Sequence, residues 1–547
     1  MKSFGVVCGV LAGIALLAVG GCRSSREEGV TSAFAAPGRE LDELSPSIDL
    51  LIESQRKRIM GRRTSLRDVR RIVAEISPLI ERVLRSPEVQ TDLRALAAAV
   101  GTDVDAYRRY FQAKQEADLL LESGGNPDAI SVSNAVGVAQ FLAGTGRRCG
   151  LRVNEAAARA CTRRMARHRE ALRWLDAQPE SFCKPAPDWA GGIPWSRDQW
   201  RAFHQRRWEE DYQERRRWDE RFDPARAIAA QTRYLLRLAR HYGGLDWALQ
   251  AYHGGEGGVN RTANLFVRGS RSMSLLPDWV RTRLRGPNRL SYERLYLQVS
   301  PLEAPSVFNY LYGRADDHRY YWWKVRMAER AITAYRRDPA AFRRQWEALR
   351  PGQRTEAVWY PDRERWTFAD KGALRAAYAR RELVPLPPAA KRLGLHTADL
   401  APLDPKEAGT YKGLRPEAME TLLRVARLYR RNGGKGALTV IGMTSTEVYS
   451  RALNEKFPQV PPPGTDPNEW EPTLDYHPTG LCFDLRLPAR DWDRKVLFYA
   501  LSRLADGQRI NWLVERILGP ERIHVVPNPA YREEQAAYCP APRATEG

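Results

Sequence analysis

From Ile48 to about Gln345 the apolar side chains recur at helical spacing, as in the i, i+4 face of Leu79-Ile80 and Val83-Leu84 and the run Leu119-Leu120-Leu121. Residues three and four apart meet on one side of an α-helix, so this stretch must bury its apolar surface helix against helix, and a sheet-based fold is excluded for it. The spacing predicts a helical region over 48–350. Inside it, residues 151–220 carry dense Arg and Glu with Trp174, Trp189, Trp195, Trp200, Trp208 and Trp218, and read as an insertion with helices of its own. Past it the texture changes. Residues 351–410, which include Val384-Pro385-Leu386-Pro387-Pro388, read as a linker; 415–430 is an amphipathic helix; Ala437 to Ile441 and Gly480 to Leu485 have strand character. The expected fold class is a mainly α domain followed by a smaller α+β domain over 411–540. A chain of 547 residues has room for about three such units.

The N-terminus gives the compartment. Met1-Lys2-Ser3 precedes an apolar run from Phe4 to Val19 that is short for a bilayer span and ends in small residues, the form of a secretory signal. Val19-Gly20-Gly21-Cys22 resembles a bacterial lipobox, which implies that 1–22 is a lipoprotein signal, that Cys22 carries the lipid, and that 23–47 is a flexible tether. Arg23 after the cysteine resembles the pattern of lipoproteins sent on to the outer membrane, so the expected location is its periplasmic face, with the membrane reached through the anchor. Export leaves Cys149, Cys161, Cys183, Cys482 and Cys539 in an oxidising compartment, where two disulfides are expected, one of them Cys482 with Cys539. It also narrows the meaning of 87 Lys and Arg against 66 Asp and Glu, a net charge of +21. Nucleic acid is excluded as partner, and a polyanionic cell wall remains.

The helical run from Tyr107 stops at Glu122-Ser123-Gly124-Gly125-Asn126-Pro127, where two glycines and a proline forbid continuation. Glu122 therefore sits in a last helical turn behind three leucines. Partial burial and the negative end of the helix dipole both disfavour a charged carboxylate there, which suits a general acid.

That block, followed by Ala129, Ser131, Gly137, Gln140-Phe141 and Gly144-Thr145-Gly146-Arg147-Arg148, resembles the soluble-lytic-transglycosylase domain, particularly of the membrane-bound lytic murein transglycosylase D type. A second block resembles the same family: Asp219 to Pro224, Thr232 to Leu235, and Ala248-Leu249-Gln250-Ala251-Tyr252-His253-Gly254-Gly255-Glu256-Gly257-Gly258-Val259. The resemblance implies a lysozyme-like fold over about 105–345, interrupted by the insertion, and cleavage of the β-1,4 bond between N-acetylmuramic acid and N-acetylglucosamine with 1,6-anhydro ring closure. It implies Glu122 as the single acid and base, with Ser123, Gln140, Tyr252 and His253 as substrate contacts, no cofactor, and peptidoglycan strands and stem peptides as partners. His253 stands where the family usually has Asn. A cell-wall-binding scaffold with inactive domains is the alternative this departure leaves open.

A second constellation lies near the C-terminus. His477 and Asp484 are seven apart across a turn into a strand, and Glu521 precedes His524 by three. His477, Asp484 and His524 make a three-ligand set for zinc with an open position, and Glu521 could serve as its base. The order of Leu414 to Ala418, Leu438-Thr439-Val440, Thr444-Ser445 and His477 to Asp484 is similar to zinc D-alanyl-D-alanine carboxypeptidases. The resemblance implies a zinc peptidase trimming stem peptides as a further alternative.

Overall fold

The computed structural model describes residues 48–56, 64–187, 194–268, 276–285, 289–314, 317–348, 359–398, 400–457, 475–515 and 521–531. The signal peptide 1–22 with Cys22, the tether 23–47 and Cys539 lie outside the described residues. The described residues belong to one compact unit. It is mostly helical, with one five-stranded sheet in its C-terminal part. Among the described residues no helix is long and apolar enough to cross a membrane.

The centre of the helical part is α3 (Val104–Ser123), packed against α1 (Ser77–Leu84) and α2 (Pro87–Ala99) and, from later in the chain, α9 (Tyr321–Arg337). Asp103 caps its start by accepting from the Ala106 amide at 2.8 Å, and Gly124 ends it in the left-handed conformation, φ +62°. A side chain at Gly124 would also meet Asp68 at 2.6 Å. Unusually for a central helix, α3 buries polar residues. Glu116 accepts from Ser77 at 2.6 Å and Arg336 at 2.7 Å, and Gln115 pairs with Gln231 and Thr232 at 2.9 Å each. Each buried polar group thereby has a partner, without which it would cost about 1–3 kcal/mol. α6 (Pro224–Tyr242) and α7 (Leu245–Gly254) complete the framework around the end of α3.

The 151–220 insertion is a helical hairpin of α4 (Glu155–Asp176) and α5 (Arg197–Trp218), with a two-stranded ribbon, β1 (Cys183–Pro185) and β2 (Pro194–Ser196), between the helices. Arg164 of α4 ties Asp211 (2.6 Å) and Glu214 (2.5 Å) of α5 together.

Residues 351–410 are not a linker over their described part. Strand β3 (Val384–Pro385) pairs with β5 (Gly413–Leu414), and β4 (Leu395–Thr397) is an edge strand of the main sheet. Phe368, Leu374, Leu383 and Tyr411 form a buried cluster. The prolines that read as a connector sit in and beside a two-residue edge ladder, where a missing N–H is tolerated. The α+β part therefore starts earlier than 411. Its sheet runs β4-β6-β7-β9-β8, with β6 Leu438–Gly442, β7 Phe483–Arg486, β8 Ile510–Glu515 and β9 Arg522–Pro527; β4 and β6 are parallel and the other pairs antiparallel. Helices α10 (Pro416–Arg431) and α11 (Asp491–Asp506) pack on it.

The helical and α+β parts share an aromatic interface. Tyr296 donates to Asp506 at 2.8 Å in a buried contact, and Phe308 of α8 (Pro305–Tyr312) stands edge-on to Trp492 and Tyr499 of α11. Among the described residues Cys149, Cys161, Cys183 and Cys482 are free thiols, so the pair expected among the first three is not formed, and the expected Cys482–Cys539 bridge falls on a residue outside them.

Candidate functional site

The last turn of α3 puts Glu122 into the wall of a cavity of about 1210 Å³. Its Oε1 accepts from the Tyr321 hydroxyl at 2.7 Å and lies 3.2 Å from His253 Nδ1. Tyr321 and His253 come from the first turn of α9 and the last of α7, and their rings stack at 3.7 Å. One helical turn before Glu122, the fully buried Asp118 accepts from Gln231 at 2.8 Å, and its Oδ1 is 2.6 Å from the same Tyr321 oxygen.

A phenol has one proton to give, and here it faces two carboxylates. The Asp118–Tyr321–Glu122 chain must therefore hold an additional proton to be satisfied throughout. Asp118 is its seat: burial, and next the neighbouring charge of Glu122, push its carboxyl well above the usual carboxylate range, although Tyr321 and Gln231 work the other way. Burial likewise pushes Tyr321 up, so its proton stays on the phenol.

Of the four expected substrate contacts, His253 alone touches Glu122. Ser123 donates to the Val138 carbonyl at 2.7 Å, Tyr252 donates to the Ala139 carbonyl, and Gln140 donates to the Gly137 carbonyl at 2.9 Å. These three side chains fasten one loop beside the acid. Gln140 and Tyr252 also line the cavity. The loop closes over Gly137, φ +76°, where a Cβ would fall 1.8 Å from the Arg221 carbonyl oxygen. The buried Arg221 in turn donates to the Phe141 carbonyl at 3.1 Å and pairs with Asp219 at 2.7 Å, so the base of the insertion braces the same loop.

Part of the cavity lining has another origin. Phe498 of α11 and Trp512 and Val514 of β8 belong to the α+β part, and Phe498 and Trp512 stack at 5.3 Å. Arg148, Arg314 and Lys324 supply positive charge, and the carboxylate of Glu256 is held by Tyr234 at 3.0 Å and Arg237 at 3.1 Å. Asp118, Tyr321 and the lining from the α+β part were not foreseen from the sequence. A polar residue in an otherwise buried helical position was the available signal for Asp118.

The sheet carries the second site. Asp484 on β7 is paired in register with His524 on β9, and His477 sits in the turn before β7. The structure brings all three expected ligands together: His524 Nδ1 is 2.7 Å from Asp484 Oδ1, and His477 Nε2 is 3.4 Å from Asp484 Oδ2. Three neighbours were not foreseen. Asp475 binds His477 Nδ1 at 2.7 Å, Arg522 approaches Asp484 Oδ2 at 2.7 Å, and Cys482 lies two residues before Asp484. Burial would raise both Asp475 and Asp484, but His477 beside each of them keeps them below the usual range. Burial lifts the Cys482 thiol to about 11 against the pull of His477. His477, Cys482 and His524, all buried, offer donor atoms within 4.8 Å of one another and could hold a metal ion. Glu521 stands just before β9 and is not one of that group.

No protein-family model, curated protein or solved structure matches the chain.

Proposed function

We propose that the chain is a peptidoglycan lytic transglycosylase with a lysozyme-like helical body, exported and anchored by lipid at Cys22 to the periplasmic face of the outer membrane. The observation that carries this reading is Glu122, held by Tyr321 and His253 at one oxygen only, in a cavity broad enough for a glycan strand.

Both contacts fall on Oε1, so Oε2 is the oxygen offered to substrate. With a further proton on Oε2, beside the one that Asp118 holds, Glu122 gives that proton to the bridging oxygen as the bond between N-acetylmuramic acid and N-acetylglucosamine breaks. The acetamido oxygen of the muramic sugar covers the positive anomeric carbon. The Glu122 carboxylate then takes the proton of the C6 hydroxyl, whose oxygen closes the 1,6-anhydro ring, and the acid is restored without water. No second carboxylate is required, unlike the paired-acid scheme of most glycosidases. Glu256, engaged by Tyr234 and Arg237, serves as a fixed charge. Phe498 and Trp512 offer apolar faces to sugar rings, and Arg148, Arg314 and Lys324 suit the lactyl and stem-peptide carboxylates.

The test is digestion of sacculi by the full chain in detergent, with mass spectrometry of the products. Release of 1,6-anhydro-muropeptides that Glu122→Gln abolishes is the expected result. Reducing-end products would mean hydrolysis, and binding to sacculi without release would mean a scaffold.

A second reading concerns the α+β part alone. The convergence of His477, Asp484 and His524 favours a zinc peptidase acting on stem peptides, with Glu521 as base. Zinc-dependent release of terminal D-alanine by the Glu122→Gln chain would establish it.

A further inference from the structure

The cavity of Glu122 has a smaller neighbour. At the base of the insertion a shallow cavity of about 710 Å³ is lined by Arg147, Arg159 and Arg163, with Glu155 as the one acid in its lining. Arg147 and Arg148 end the short helix Ala143–Arg148. Successive side chains on a helix diverge by about 100°, so the pair divides: Arg148 lines the cavity of Glu122, and Arg147 lines the smaller one. Arg159 and Arg163 follow one turn apart on a single face of α4.

The charge of this face is not neutralised from within. Glu155 is shared between the buried Arg221 at 3.2 Å and Arg159 at 3.7 Å. Among the described residues Arg163 has no acidic partner, and Arg147 donates only to the Val153 carbonyl, at 3.5 Å. The neighbouring Arg164, by contrast, braces the hairpin and is paired with both Asp211 and Glu214. Guanidinium groups gathered in a concavity without carboxylates of their own are suited to carboxylates that a ligand brings.

We infer that this face is a second binding site, outside the cavity of Glu122, for the carboxylates of stem peptides projecting from a glycan strand. The inference rests on the transglycosylase reading of the larger cavity. A lactyl carboxylate is held close to its sugar ring, so a peptide alone has the reach to leave that cavity for the insertion. Arg148 meets the peptide where it leaves the strand, and Arg147, Arg159 and Arg163 receive its free carboxylates. The insertion thereby selects strands that still carry their peptides.

Glycan strands of one length, either bearing stem peptides or stripped of them by an amidase, are titrated into the full chain in detergent, with Glu122→Gln preventing cleavage. Peptide-bearing strands are expected to bind about 3- to 10-fold more tightly, the effect of two exposed ion pairs, and the difference should shrink as salt is raised. Arg159→Gln with Arg163→Gln should erase the preference and leave stripped strands bound as before. Both side chains are exposed, so the melting curve should not move. Equal affinity for the two strands overturns the inference, as does a double variant that keeps the preference or weakens both strands alike. Release of anhydro products from stripped strands by the chain with Glu122 intact tests the transglycosylase reading by itself. Its failure, beside a preference that the double variant erases, leaves a peptide-binding site on a wall-binding protein. Its success, beside equal affinities, leaves a transglycosylase without this selector.

Discussion

The imidazole of His253 lies flat on the ring of Tyr321, centroids 3.7 Å apart and planes within 8°, and both side chains reach the same oxygen of Glu122. The stack joins two helices distant in sequence and fixes the acid from the side away from Oε2. It also lets the effect of the phenol proton be separated from that of the ring.

Tyr321→Phe keeps the stack and removes the hydroxyl. A hydrogen bond to a charged group contributes about 1.5–3 kcal/mol, so kcat/KM for anhydro-muropeptide release should fall roughly 10- to 100-fold. Thermal stability should fall as well, by about 1–3 kcal/mol, because the buried Asp118 loses the partner of its Oδ1 and keeps only Gln231 at its other oxygen. Steady-state kinetics beside a melting curve check both; an unchanged rate would leave Tyr321 a packing residue.

Asp118→Asn tests where the extra proton resides. A carboxyl raised in the folded state keeps its proton where the unfolded chain, with an ordinary value near 3.8, has lost it. Folded protein then binds more protons than unfolded, so this group's contribution to stability falls as pH rises from about 4 toward its folded value. Asparagine cannot ionise, so the variant should show a flatter dependence and a relative gain at neutral pH. Urea titrations at several pH values between about 4 and 8 measure it. Parallel curves for the two proteins would place the proton elsewhere.

Glu122 was legible because its signals are local: an apolar helical run, two glycines and a proline within six residues. Tyr321 was not, because it reaches Glu122 across 199 residues and nothing beside it in the chain marks it. His477, Asp484 and His524 could be grouped by chemical type, and strand register then brought Asp484 opposite His524. Cys482 was read only for its redox compartment, since a cysteine on a strand looks like a small apolar residue. The 351–410 segment misled for a related reason: its prolines are a local signal, whereas the pairing of β4 with β6 is a long-range one.

Gly137→Ala should unseat the loop that Ser123, Tyr252 and Gln140 hold. The position combines a left-handed φ with a Cβ placed 1.8 Å from the backbone oxygen of Arg221, which has no flexible end to move aside. A destabilisation of about 3 kcal/mol or more follows from strain and overpacking together. Chemical denaturation checks the size, and anhydro-product release should fall with it even at temperatures where the variant stays folded.

Trp512→Ala asks whether the α+β part belongs to the glycan groove. Trp512 and Phe498 stack as a pair in the lining of the cavity that Glu122 also lines, and α11 is fastened to the helical body through the buried Tyr296–Asp506 contact, so the pair is held in place. Losing one aromatic face should cost about 1 kcal/mol of sugar stacking, roughly fivefold in KM for long glycan strands. The chemical step is untouched, so kcat should stay the same, and fragments too short to span the cavity should be cleaved as before. Kinetics on strands of graded length distinguish the outcomes. An equal loss on short and long strands would mean that the substitution disturbs Glu122 itself, and no loss on either would separate the α+β part from the groove.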